Sequence, residues 1–180
     1  MKKFMITATI LLSISFIVLY ISYDFIQSSL LLTLLITTGT TLYHFSMRLA
    51  VGTAMDHMIH GSIDIYKHRF RIGNTERKLY RLLHVKTWKK HMPTYAPEKF
   101  DIRRHSWKEI ADASAQAEMV HLTIAILSLL PILASIWFGD VWVFTATSIL
   151  ASLFDLSFVI VQRYNRDRIY RLLEHDGEIH

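Results

Sequence analysis

The chain has 180 residues, about one domain's worth; 52% are hydrophobic, and 20 Lys and Arg stand against 15 Asp and Glu for a net charge of +5. With a positive mean hydropathy, this composition argues against a soluble globule and makes the bilayer the expected solvent. The absence of cysteine excludes disulfides, thiolate zinc sites and an acyl-cysteine intermediate while leaving the compartment open, and neither a G-x-S-x-G elbow nor a Gly-rich phosphate loop occurs.

From the N-terminus, Lys2 and Lys3 precede an apolar run that is too long for a signal-peptide core and lacks a convincing cleavage site. It reads instead as a first membrane span over 4–23. A second, over 25–43, follows a one-residue break at Asp24, so the two form an antiparallel hairpin. Thr33, Thr37, Thr40 and His44 recur at helical spacing along the second span, with Arg48 one turn further on. The null expectation for the threonines is small-residue helix packing.

Residues 45–117 form the one sizeable polar segment, and it is too short and too basic to stand as an independent domain. His57, His60 and Asp64 fall at i, i+3 and i+7, a spacing that permits a metal on one helix face, although with ten histidines such coincidences are common and no metal is expected. From Glu76 through Lys90, apolar and basic residues interleave as in an interfacial helix, with Tyr80 and Trp88 at headgroup level, but the apolar arc is too wide for a clean amphipathic fit. Pro93 and Pro97 bracket a turn, and 101–117 reads as a helix leading into the third span, 119–138.

At the entry to that span stands Gln116-Ala117-Glu118-Met119-Val120-His121. Glu118 and His121, at i and i+3, share a helix face, so a carboxylate and an imidazole can meet at the water–lipid boundary, where proton transfer on a lipid-like substrate is one use. The other reading is a carboxylate favouring the first helical turn and a histidine at rest in the interface. Pro131 should kink the third span and free a carbonyl one turn earlier, within reach of Ser128 or a neighbour. After Gly139-Asp140, the fourth span, 141–161, carries Ser148, Ser152 and Asp155. A carboxylate there costs roughly 2.5–3.5 kcal/mol to insert, so Asp155 is expected to pair with Arg163, Arg166, His44 or Arg48. The fold class that follows is all-α: a single membrane domain over 1–180, with four helices in two hairpins.

All 20 Lys and Arg precede span one, lie between spans two and three, or follow span four. With an even number of spans those regions share one side, and the positive-inside rule makes it cytosolic, with both termini inside a multi-pass cell-membrane protein. Such a one-sided field suits anionic lipid headgroups or a phosphorylated substrate. Nucleic acid is not an expected partner, because no base-reading or stacking module occurs.

Three stretches resemble the glycosyl-4,4'-diaponeurosporenoate acyltransferase family of carotenoid biosynthesis: Val85-Lys86-Thr87-Trp88-Lys89, then Gln116 to His121, and most specifically Val161-Gln162-Arg163-Tyr164-Asn165-Arg166-Asp167-Arg168. The resemblance runs roughly from Arg69 to Leu173 and leaves out the first two spans. Where the family pattern has a proline after the second arginine of the last motif, this chain has Asp167. The resemblance implies transfer of a fatty acyl chain to a sugar hydroxyl on a glycosylated, membrane-dissolved polyisoprenoid.

In that chemistry His121 is the base, Glu118 orients it, and Arg163 or Arg166 meets developing negative charge. Lys86, Lys89, Lys90 and Arg81 would bind the phosphates of an acyl-CoA donor, with no other cofactor. Gln162, Asn165, Asp155, Trp88, His44 and Arg48 complete the candidate substrate contacts around acyl donor, glycolipid acceptor and membrane lipid. The oligomeric state is open. A different class remains alongside: a non-enzymatic scaffold or lipid-binding protein whose basic face docks on anionic lipid, for which Glu118, His121, Asp155 and Asn165 need have no common purpose. A transporter finds little support, because no inverted repeat is visible.

Overall fold

The computed structural model describes residues 2–58, 63, 67–94 and 96–175, and the regular structure among them is entirely helical. Seven α-helices are described: α1 (Lys2–Ile26), α2 (Ser29–Met58), α3 (Asn74–Leu82), α4 (Val85–Trp88), α5 (Trp107–Leu127), α6 (Pro131–Phe138) and α7 (Val141–His175), with single turns at His68–Phe70, Lys89–His91 and Pro97–Phe100. Four stretches, Lys3–Ile26, Ser29–Met58, Trp107–Phe138 and Val141–Glu174, are long and apolar enough to cross a membrane, so this is a membrane protein. The chain divides into two compact units, Met1–Ala54 with Thr123–Asp155, and Met55–Leu122 with Leu156–His180.

The first unit turns apolar side chains outward. Ile10, Leu11, Ile14, Ile17 and Val18 of α1, like Leu150 and Leu153 of α7, are exposed, as a surface solvated by lipid requires. α1 and α2 meet where α2 has no side chain: a Cβ on Gly39 would lie 2.8 Å from the Phe16 ring, the close approach that small residues permit between membrane helices. Thr33, Thr37 and Thr40 donate their hydroxyls to the carbonyls four residues earlier, at 3.2, 2.8 and 2.8 Å. Their stripe is satisfied within its own helix, as expected of packing residues.

The connections follow backbone chemistry. α1 does not end at Asp24 but runs to Ile26, because an exposed carboxylate in the last turn breaks no hydrogen bond. The helix stops at Gln27, whose φ of 46° lets its N–H close onto the Tyr23 carbonyl at 2.8 Å, the left-handed cap. Pro131 divides the third apolar run into α5 and α6. Lacking an N–H, it cannot bond the carbonyl four residues back; the Leu127 carbonyl accepts instead from the Leu130 N–H at 3.1 Å and from the Tyr43 hydroxyl, rather than Ser128, at 2.9 Å. Gly139 and Asp140 turn the chain into α7 with φ of 72° and 45°.

The second unit has two apolar clusters. In one, Phe70, Ile110, Ala111, Ala115, Ile169, Tyr170 and Leu173 pack together, while Leu172, on the other face of α7, is exposed. In the other, Ile72, Tyr80 and Val85 pack with Trp88, Ile160 and Tyr164. The basic helix expected across 76–90 is broken at His84, where φ reaches 51°. Tyr80 is buried and so is not the headgroup anchor expected, whereas Trp88 is part-exposed and donates its indole N–H to the Leu83 carbonyl at 3.0 Å. The apolar arc looked too wide because it serves two purposes: Tyr80 and Val85 enter the core while Leu79, Leu82 and Leu83 stay outside.

α5 begins at Trp107, later than the expected 101. Ser106 accepts the Glu109 N–H at 3.2 Å, and the Glu109 carboxylate accepts the Ser106 N–H at 2.7 Å, a capping box that fixes the start. Asp101 instead makes a turn, its carboxylate accepting the Arg103 N–H at 3.0 Å.

Candidate active site

Small residues on α5 allow α7 close to it in the second unit. Ala111 and Ala115 are fully buried, and Ser114 donates to the Gln162 carbonyl at 2.9 Å. One turn beyond Ser114 on α5 comes Glu118, and one turn beyond Gln162 on α7 comes Arg166, with Arg163 three residues before it on the same face. The two helices run in opposite directions, so the long arginine side chains are what reach Glu118: one carboxylate oxygen accepts from Arg163 Nη1 at 2.8 Å, and the other from Arg166 Nη2.

The network continues through residues that the sequence did not single out. Arg163 grips Glu76 of α3 with Nε at 2.6 Å and Nη2 at 2.9 Å, a bidentate fork that lysine could not reproduce. Tyr80 donates its hydroxyl to the same Glu76 carboxylate. Arg166 gives Nε and Nη2 to the Phe70 carbonyl at 3.2 and 3.0 Å, with its guanidinium 5.0 Å from the Phe70 ring centre. Arg166 is 0% exposed and Glu118 4%, so their charges are balanced by the protein rather than by water.

Burial alone would raise the Glu76 pKa, but the bonds from Arg163 and Tyr80 and the arginine charges outweigh it and hold the carboxyl below its ordinary value. The Tyr80 hydroxyl is pushed up, first by burial and then by the Glu76 carboxylate that accepts its hydrogen bond. Both shifts keep Glu76 ionised and Tyr80 protonated near neutral pH, the states their hydrogen bond requires.

His121 lies at the edge of this network. Its ring stacks on Phe158 of α7, with centroids 4.5 Å apart and planes within 8°, and it is half-buried. Glu118, expected as its orienting partner, commits both oxygens to arginines. Arg166, expected to face a developing charge, is 0% exposed, and its Nη1 has no hydrogen-bond partner among the described residues.

Lys89 donates to Asn165 Oδ1 and sits 4.8 Å over the Tyr164 ring. Burial, followed by the charge of Arg168, lowers its pKa. Lys86 and Lys90 are exposed. Asp167, where the family pattern has proline, binds Arg77 at 2.8 Å and Arg171 at 2.9 Å. The three stretches that carried the resemblance thus meet in one unit: Lys89 touches Asn165, and Glu118 touches Arg163 and Arg166. Gln162 contributes its backbone carbonyl, while its side-chain oxygen is buried without a partner among the described residues.

His44, Arg48 and Asp155 belong to the first unit. Arg48 bonds the Asp155 carboxylate, the Ala151 carbonyl at 3.4 Å and the His44 carbonyl at 3.0 Å, so of the four partners expected for Asp155 the structure gives Arg48. The His44 ring is 5% exposed, and neither nitrogen has a hydrogen-bond partner among the described residues. Of the suggested metal trio, His60 and Asp64 lie outside the described residues, and His57 is exposed.

The family model for glycosyl-4,4'-diaponeurosporenoate acyltransferase matches residues 63–175, more than half of the chain and every residue of the Glu118 network. No curated protein and no solved structure matches.

Proposed function

The chain belongs to the glycosyl-4,4'-diaponeurosporenoate acyltransferase family, an acyltransferase family of carotenoid biosynthesis, and from that premise we propose that it moves a fatty acyl chain onto a sugar hydroxyl of a glycosylated polyisoprenoid dissolved in the membrane. The observation that carries this reading is that the last family stretch touches both of the others, Arg163 and Arg166 bonding Glu118 and Asn165 bonding Lys89, with the half-buried His121 one turn from Glu118.

The donor in this reading is a thioester such as acyl-CoA. The acceptor hydroxyl attacks the thioester carbonyl while His121 takes its proton, and the tetrahedral oxyanion collapses with loss of the thiolate, which recovers the proton from the imidazolium. Phe158 fixes the plane of the imidazole. Glu118, Arg163, Arg166 and Glu76 are positioning residues that pin α5, α7 and α3. Lys89, held by Asn165 and lying over the Tyr164 ring, is a cation offered to the phosphates of the donor. With direct transfer no acyl-enzyme forms, in keeping with a chain that has no cysteine.

Mass spectrometry of lipids from cells with and without the protein tests the activity. An acylated glycolipid should appear only with it; identical profiles in cells that make the acceptor would leave a scaffold as the better account.

The one-sided Lys and Arg distribution supports a cytosolic second unit and cytosolic termini. In this cysteine-free chain, Asn74→Cys should react with an impermeant maleimide only from the cytosolic side and Asp140→Cys only from the other. The reverse pattern would exclude a cytosolic donor.

A further inference from the structure

We propose that α3 and the turn into α4 form a ridge that docks on anionic phospholipid headgroups. From Lys78 to His91 the chain has five Lys and Arg and no Asp or Glu. Lys89 is held by Asn165, whereas Lys78, Arg81, Lys86 and Lys90 are exposed. Among these cations Leu79, Leu82 and Leu83 are 48%, 73% and 44% exposed, although apolar neighbours were available: Tyr80 and Val85, from the same stretch, are buried in the core.

Spacing separates the two sets on α3. Glu76 and Tyr80, at i and i+4, face Arg163 and the core, whereas Lys78, Leu79, Arg81 and Leu82 alternate around the opposite side. α3 ends at Leu82, and the left-handed His84 closes the turn with Leu83 outside. A free phosphate would be satisfied by the cations alone and gives the leucines no reason to be outside. A headgroup layer, with phosphate charge above hydrocarbon, accommodates both, and each cation near such a surface strengthens binding. None of these exposed residues belongs to the Glu118 network, but Arg81, Lys86 and Lys90 are also the cations expected at the phosphates of an acyl-CoA donor, so the test must separate a headgroup from a soluble phosphate.

The test uses the full chain in lipid nanodiscs, with Leu82→Cys labelled by an environment-sensitive fluorophore and no acyl donor present. In discs containing phosphatidylglycerol, emission should shift to the blue and iodide quenching should fall several-fold relative to phosphatidylcholine alone. Converting Lys78, Arg81 and Lys86 to Gln should return the label to its phosphatidylcholine value, as should raised salt, because these charges are solvent-exposed and screenable. Equal quenching in both lipids would overturn the proposal. So would a triple variant that keeps the shift, or a shift that appears only on adding coenzyme A, which would assign the cations to a soluble phosphate. Activity plays no part in the measurement, so failure of the docking surface and failure of the acyltransferase reading are separable.

Discussion

Purified His121→Ala protein should insert and fold like the parent chain yet transfer acyl groups about 10²–10⁴-fold more slowly, a loss of about 3–5 kcal/mol in transition-state stabilisation. The fold should survive because His121 is only half-buried and the stack of its ring on Phe158 is an aromatic contact of about 0.5–1.5 kcal/mol. A scaffold would not register the change. The measurement is a turnover assay in detergent with a glycolipid acceptor and acyl thioester, run beside a thermal unfolding curve for each protein. Near wild-type turnover would remove the base from α5, and His44 would become the candidate to test.

Glu118→Gln should fail differently, by losing about 3–5 kcal/mol of stability, because Arg166 is 0% exposed and would keep its charge with no carboxylate opposite it. If Glu118 only oriented His121, the amide would be well tolerated. Adding Arg166→Met to the Glu118→Gln protein should recover part of the loss, since the stranded charge goes with it, and this non-additivity is what identifies the pair. Denaturant titration in detergent micelles measures all of these. A single variant within about 0.5 kcal/mol of the parent would mean that water reaches Arg166 and the buried pair is not as described. The two substitutions thus separate chemistry from architecture within one turn of helix.

What the sequence revealed follows from how far each signal reaches along the chain. The long apolar runs announce their helices because length and hydropathy are local. Asp155 inside the fourth run announced that it needed a partner, since no carboxylate is left alone there, but the choice of Arg48 depends on how α2 and α7 register. At Glu118 the local signal misled. Its neighbour on the helix is His121, yet both its oxygens go to arginines 45 and 48 residues later. Glu76, Tyr80 and the Phe70 carbonyl stayed unseen for the same reason, because Arg163 and Arg166 lie 87 to 96 residues beyond the chain segments they bind. Nothing in the periodicity of α3 distinguishes a glutamate that grips an arginine from one that faces water. The exception was the resemblance, which named Arg163 and Arg166 together before any geometry did.

The span between Glu118 and Arg166 also sets a timetable for biosynthesis. At about 5–20 residues per second, the 48 residues that separate them take roughly 2–10 s to synthesise. Through that interval Glu118 stands at the edge of an apolar run ready for the bilayer, its neutralising arginines not yet made. The carboxylate must therefore wait in water, and the start of α5 with it, until the far end of α7 leaves the ribosome. The second unit is in this sense closed only once Arg163 and Arg166 have been made, and a nascent chain halted before Arg163 carries an unpaired acid at the threshold of the membrane.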